Sequence, residues 1–335
     1  MPTLPEAFRC LVVSETGERR FETRPLQDLP PGEVLVRVAY SSLNYKDAMA
    51  ASGNRGVVKK FPHVPGIDAA GVVAYSSSAD WQVGDRVIVT GYELGSGRWG
   101  GFAEFIRVPA DWVVRLPTGL SLRESMILGT AGFTAAQCVQ ALVRHRIAVD
   151  AGEIVVTGAT GGVGSLAVSI LARLGYQVAA VSGKAEAQQF LTGLGARQVI
   201  GRNEVRDAST KPLLPARWAG AVDTVGGETL ATLLRSTSHR GCVTACGLVG
   251  GADLPLTVYP FILRGVTLAG IDSAMCPMPD RLEIWSHLAS DWKPTTLDRI
   301  ATEIELGELN SWIERILAGK VSGRVLVRVH GPPET

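Results

Sequence analysis

Four glycines, at positions 158, 161, 162 and 164, follow the apolar run Ile154-Val155-Val156-Thr157 and precede a helical apolar pattern over residues 165–174. A second strand is expected at 177–181. A strand that ends in a glycine turn and opens a helix lets bare backbone N–H groups approach a pyrophosphate at the helix N-terminus. Glycine leaves no side chain in the way and lets the helix pack close to the sheet. The stretch from Ile154 to Gly164 therefore reads as a dinucleotide-binding turn.

The end of the second strand selects the dinucleotide. A carboxylate there binds the adenine-ribose 2′-hydroxyl and repels a 2′-phosphate. This chain has Ser182-Gly183-Lys184 instead, and Arg202 follows the next strand candidate. A hydroxyl, open backbone and two cations suit a phosphate, so NADPH is expected over NADH. Metal chemistry is disfavoured by the side chains available. None of the five histidines, His63, His145, His239, His287 and His330, stands in a ligand-spaced pair. Cys242 and Cys246 flank an expected buried strand and read as structural thiols. No Gly-x-Ser-x-Gly elbow marks a hydrolase.

The elements that must position these residues fall into two blocks. At 335 residues, two domains are the natural expectation. Up to about residue 120, short strand candidates at 34–39, 66–75, 86–90, 102–108 and 112–116 alternate with turns, with one helix at 45–51. Ser121 and Glu124 form a capping-box pattern for a helix, and another helix is expected at 132–144. Strands at 154–157, 177–181, 198–200, 220–225, 242–245 and 266–271 then alternate with helices. Six such units spell a doubly wound α/β parallel sheet. A helix at 309–317 and a strand at 323–329 are expected to return to the first block. The 33 basic and 32 acidic residues cancel, which argues against nucleic acid or membrane-surface partners. No leader and no bilayer-spanning run is read, and five scattered cysteines make no disulfide framework. A cytoplasmic protein is expected.

In this order the motifs resemble the medium-chain dehydrogenase/reductase superfamily, in its zinc-free, quinone-oxidoreductase-like division and its acryloyl-CoA reductase branch. The carriers are Ser42-Leu43-Asn44-Tyr45-Lys46-Asp47, Pro65-Gly66-Ile67-Asp68-Ala69-Ala70-Gly71, Gly84-Asp85-Arg86-Val87, Gly100-Gly101-Phe102-Ala103-Glu104 and Gly129-Thr130-Ala131-Gly132-Phe133-Thr134-Ala135. Ser182-Gly183-Lys184, Asp223-Thr224-Val225-Gly226-Gly227 and Leu263-Arg264-Gly265-Val266 followed by Gly270-Ile271-Asp272-Ser273 narrow it to the branch, and Gly319-Lys320 with Gly323-Arg324-Val325 closes the match. Zinc-dependent relatives carry Gly-His-Glu where this chain has Gly66-Ile67-Asp68, and a cysteine ligand near Asn44-Tyr45. The branch often has arginine where Lys184 stands, so charge is kept and the bidentate fork is lost.

The resemblance implies a Rossmann domain, residues 122–297, inserted in a split β-rich GroES-like domain, residues 1–121 and 298–335, with the reaction between them. Thr160, Gly161, Gly162 and Val163 would face the pyrophosphate, and Ser182, Gly183, Lys184 and Arg202 the 2′-phosphate. Leu248, Ile262 and Ser273 would border the nicotinamide, with core packing and a helix cap as the plain alternatives. Tyr45 would reach the cofactor from the first domain, and a homodimer is implied.

Losing a Lewis acid fits the reduction of a C=C bond conjugated to a carbonyl better than alcohol oxidation. Hydride adds at the β-carbon, charge moves to the carbonyl oxygen, and a proton reaches the α-carbon. Acryloyl-CoA is the expected acceptor and propionyl-CoA the product, with a quinone or a non-catalytic NADPH-binding role as alternatives. Tyr45 is the candidate catalytic group; it either donates to the carbonyl or only packs. Asn44 and Asp68 are lesser candidates, and Arg324 meets either phosphates or an ion-pair partner. Arg55, Lys59 and Lys60 form a basic run that either meets CoA phosphates or is a solvated face.

Overall fold

A computed structural model of the chain describes residues 4–184 and 187–330; residues 1–3, 185–186 and 331–335, and with them the ends of the expected 1–121 and 298–335 domain, lie outside the described residues. Two compact units form. One comprises Met1–Thr130, Ala274–Ala289 and Leu297–Thr335, the other Ala131–Ser273 and Ser290–Thr296. The expected 122–297 block thus gives up two segments, residues 122–130 and Ala274–Ala289, and the single residue Leu297 to the first unit. Gly129, at φ 50° and ψ −156°, breaks Leu122–Arg144 just before the change of unit. Arg281 anchors the other segment: its buried guanidinium donates to Thr90 O at 2.9 Å, within the first unit.

The first unit is β-rich. Its seven-stranded sheet runs Ala301–Glu305, Arg324–Arg328, Val34–Leu43, Asp68–Ser76, Arg86–Thr90 and Val113–Arg115, with Phe105–Val108 also on Val34–Leu43. All pairs are antiparallel except Ala301–Glu305 with Arg324–Arg328. Val34, Val36 and Val38 point with Ala69, Val73, Val87 and Val89 into one buried cluster, which is why the alternating strand was legible. The register shifts between Val38 and Tyr40, and Gly71 is where a Cβ would strike the Arg37 carbonyl. The tail strand Arg324–Arg328 pairs with Tyr40–Leu43 inside this sheet. A hairpin, Ala7–Val13 with Arg19–Pro25, completes the unit.

The second unit holds six parallel strands in the order Gln198–Ile200, Val178–Val181, Ile154–Val156, Trp218–Asp223, Thr237–Ala245 and Thr267–Gly270. The order reverses between Ile154–Val156 and Trp218–Asp223, and ligands of doubly wound sheets bind at the carboxyl ends beside such a reversal. Helix Gly162–Arg173 follows the first strand and buries Leu166, Val168, Ile170 and Leu171. Val155, Ala179, Trp218, Leu233 and Val243 fill a core on the sheet. The expectation of no spanning run needs correction: Leu122–Arg144 is long and apolar enough, but 78% of its apolar window is buried, as in a core helix.

Candidate active site

The first part of the site lies at the carboxyl ends of the parallel strands. Gly161 caps helix Gly162–Arg173, and Ser165 makes the first helical bond, to Gly161 O at 2.9 Å. The N–H groups of Gly162, Val163 and Gly164 precede that bond and lack helical acceptors. Gly158 sits at φ 56°, where a Cβ would strike the Thr224 hydroxyl. Asp223 locks the neighbouring strand end: Thr157 Oγ1 donates to it at 2.6 Å and Gly226 N at 2.7 Å. Burial pushes the Asp223 carboxyl above its usual range, against those two donors and the Val225 backbone N–H.

Ser182 and Gly183 end the second strand, and Lys184 N donates to Ser182 Oγ at 3.1 Å. Arg202 lies directly over Gly183. A Cβ on Gly183 would come within 2.5 Å of Arg202 Nε and 2.7 Å of Cζ. The short helix Arg202–Val205 brings in a further cation, Arg206, which sequence reading missed. A cavity of about 300 Å³ is lined by Thr157, Gly158, Thr160, Ser182, Gly183, Arg202, Arg206 and apolar Val181, Val205 and Val225. Among the described residues, no acidic one lines it. Glu204, on the same helix, pairs with Arg217 at 3.1 Å, and among the described residues neither Arg202 nor Arg206 has an ion-pair partner. The four-residue spacing of Arg202 and Arg206 after the strand was the available signal.

Tyr45, in the first unit, opens helix Tyr45–Ala51 and is 47% exposed. Among the described residues its phenol has no hydrogen-bond partner. Asn44 is the N-cap, and Asp47 accepts the Asn44 N–H at 2.8 Å to close a capping box. Asp68 is buried and accepts from Thr130 N at 2.9 Å, Thr130 Oγ1 at 2.6 Å, Ser42 Oγ at 2.5 Å and Asn44 Nδ2 at 2.8 Å. Ile67, where zinc-dependent relatives carry histidine, is buried.

Arg324 is not placed to meet phosphates. Its guanidinium is buried and donates to Ile127 O at 2.9 Å, Ser42 Oγ at 2.7 Å and Asn44 Oδ1 at 3.1 Å, with Asp68 3.8 Å away. The ion-pair alternative is the one the geometry realises. The basic run is also partly engaged: Arg55 pairs with Glu15 and Lys59 donates to the Arg55 carbonyl, while Lys60 is exposed. Leu248 and Ile262 are 67% and 68% exposed, so neither is core. Ser273 is half-buried at the end of the second unit. Cys242 is buried with its thiol pushed up to about 11 by burial, and Cys246 is pushed up by a hydrogen bond to Cys138 and by burial.

The second unit fits a phosphorylated dinucleotide. The open N–H groups suit a pyrophosphate, and the glycine that admits Arg202 sets cations where the strand end would otherwise place an acid. Comparisons with known proteins agree with this organisation. The family "Alcohol dehydrogenase GroES-like domain" matches residues 30–118, and "Zinc-binding dehydrogenase" matches residues 162–288. The acrylyl-CoA reductase AcuI of Ruegeria pomeroyi is 46% identical over 96% of this chain and 99% of its own length. The crystal structure of the yhdH oxidoreductase of Salmonella enterica in complex with NADP is 46% identical, covers 96% of this chain and all of its own, and superposes with a TM-score of 0.92. The Bacillus subtilis protein yhfP with NAD bound is 45% identical over 97% of this chain and all of its own, with a TM-score of 0.94. With both families matched in order and such identity over nearly its whole length, the chain belongs to the medium-chain dehydrogenase/reductase superfamily.

Proposed function

We propose that the protein reduces the conjugated C=C bond of acryloyl-CoA to give propionyl-CoA, with NADPH as reductant. The observation that carries the reading is the phosphate cradle: an open helix N-terminus beside Gly183 with Arg202 packed over it. The identity with an acrylyl-CoA reductase supports the choice of acceptor. When bound, the reduced nicotinamide supplies the hydride equivalent. The backbone at Gly161, Gly162 and Val163, with Thr160, holds the pyrophosphate. Ser182, Lys184, Arg202 and Arg206 hold the 2′-phosphate, and Leu248, Ile262 and Ser273 border the nicotinamide. The Tyr45 phenol, with no partner among the described residues, donates to the thioester oxygen as negative charge grows there.

Two copies are proposed to pair through the edge strand Thr267–Gly270, which among the described residues is bonded on one side only, to Thr237–Ala245. Exposed Val258, Tyr259, Ile262 and Leu263 lie in the segment just before it. Light scattering at micromolar protein should give twice 35.5 kDa, and a 35.5 kDa species would refute the pairing. A reducing, cytoplasmic setting fits the five free cysteines.

The test is steady-state oxidation of NADPH with acryloyl-CoA, crotonyl-CoA and a simple quinone in parallel, with a metal chelator present. Acryloyl-CoA should give the highest kcat/KM. Turnover of the quinone alone would replace the thioester reading, and cofactor binding without turnover of any acceptor would mark a non-catalytic role. Loss of activity on chelation would contradict a metal-independent reaction.

A further inference from the structure

The carboxylates of Asp47 and Asp68 are both fully buried in the first unit, joined by one amide. Asn44 Nδ2 donates to Asp47 Oδ2 at 3.1 Å and to Asp68 Oδ2 at 2.8 Å. Among the described residues, every other bond to Asp47 also comes from an N–H. Oδ2 accepts from Asn44 N at 2.8 Å, and Oδ1 accepts from Ile67 N at 2.8 Å and Gly66 N at 3.2 Å. Asp47 therefore ties the start of helix Tyr45–Ala51 to the turn before strand Asp68–Ser76. Asp68 fastens the same cluster to Ser42 and Thr130. Gly129 leaves it room: a Cβ there would lie 2.6 Å from Asp68 Oδ2 and 2.9 Å from Arg324 Nη2.

Each oxygen of Asp47 already accepts two N–H groups. A proton added to either oxygen displaces one of them. On Oδ2 it loosens Asn44 and the helix start; on Oδ1 it loosens the Gly66–Ile67 turn. The charged groups facing Asp47 are Asp68 from its strand and Arg324 from the tail strand; Asn44 and the Gly66 and Ile67 backbone complete its surroundings. Burial, then Asp68, push the Asp47 carboxyl up to about 7, against the N–H donors. Proton exchange at this position therefore falls within the pH range in which reductase assays are run.

We propose that Asp47 is a positioning residue for Tyr45: ionised, and coupled to Asp68 through the Asn44 amide, it fixes the helix start that presents the phenol, and protonation releases that start. This rests on reading Tyr45 as the group that faces the acceptor. The proposal is tested by two readouts on the full-length protein. The first is independent of turnover. Labelling with ¹⁵N-tyrosine gives backbone amide signals from six residues, and the one missing in Tyr45→Phe is Tyr45. Its shift should titrate with a midpoint near 7 in the wild type and stay flat in Asp47→Asn. In Asp68→Asn the neighbouring negative charge is gone, so the midpoint should move to lower pH; this variant decides the matter where Asp47→Asn does not fold.

The second readout is the pH profile with acryloyl-CoA. Wild-type kcat should fall on the acid side with the same midpoint. Asp47→Asn should lose that limb and show about tenfold lower kcat at pH 8, with the KM for NADPH changed less than about threefold. A Tyr45 amide that does not titrate in the wild type, or that titrates unchanged in Asp47→Asn or Asp68→Asn, overturns the proposal. Absence of turnover with every acceptor refutes the proposed function instead, and the amide titration still decides the role of Asp47.

Discussion

Replacing Arg202 by alanine should convert a phosphate-reading enzyme into one that barely distinguishes NADPH from NADH. Its guanidinium lies over Gly183, so close that a Cβ there would sit 2.5 Å from Nε. Arg206 is the other arginine lining the same cavity. A charge-assisted hydrogen bond contributes roughly 1.5–3 kcal/mol, so losing the Arg202 contact should lower kcat/KM for NADPH by about 10- to 150-fold. NADH has no 2′-phosphate, and its kcat/KM should change less than about twofold. Gly183→Ala makes the same test by displacement. Gly183 does not have the positive φ that strains other residues, and the obstacle is a flexible side chain, so the fold should hold while the guanidinium swings away. Both variants are measured with the two cofactors at saturating acryloyl-CoA. An equal fall for NADPH and NADH, or an unchanged preference in Arg202→Ala, would refute the assignment of Arg202 to the 2′-phosphate.

Arg281→Ala should destabilise the protein by roughly 3–5 kcal/mol in urea unfolding, because the buried carbonyls of Thr90 and Cys276 and the half-buried one of Ala274 lose a charged donor. Protonating Asp47 gives up one N–H bond at the helix start but removes a buried charge beside Asp68; the second effect is the larger, since the pKa is raised in the folded state, so the carboxyl's contribution to global stability is present below about 3.8 and lost as pH rises through about 7. The stability advantage of the wild type over Asp47→Asn should accordingly shrink by about 2–3 kcal/mol between pH 5 and pH 8, as read from denaturant midpoints. Burial pushes the thiols of Cys10 and Cys242 up to about 12 and about 11. Neither should react with iodoacetamide at pH 8 in the folded protein, whereas unfolding should expose all five cysteines to labelling, counted by mass spectrometry.

Local pattern carried much of the architecture. Helices Tyr45–Ala51 and Leu309–Leu317 and strands Arg86–Thr90 and Gln198–Ile200 fall where periodicity and turn residues put them. The glycine turn, the missing acid after the second strand and Arg202 were equally local, since a few neighbouring residues build that half of the site. The failures have a common cause. Among the described residues, strand Ala301–Glu305 pairs on one side only; it is mostly solvated, so its sequence Ala-Thr-Glu-Ile-Glu shows no apolar alternation. Arg19–Pro25 is charged along its length and is held by the register of its hairpin partner. Strand Val34–Leu43 runs past the expected end because Ser41 and Ser42 are buried to serve Asp68, a polar demand that hydrophobic patterning does not record. Arg324 meets Asn44 across 280 positions, and Thr130 meets Asp68 across 62. Contacts at that separation leave no spacing to read, so the Asp47–Asp68 cluster became visible only in the folded chain.

The most direct test of the central claim follows the two hydrogens added to the acceptor. Acryloyl-CoA is reduced with NADPH deuterated at the transferred position of C4, in ordinary water, and separately with unlabelled NADPH in D₂O, and the propionyl-CoA is analysed by mass spectrometry and NMR. One deuterium should appear at the β-carbon in the first reaction and one at the α-carbon in the second. Deuterium from the cofactor at the α-carbon, or no labelled propionyl-CoA while a quinone consumes the same NADPH, would contradict the account.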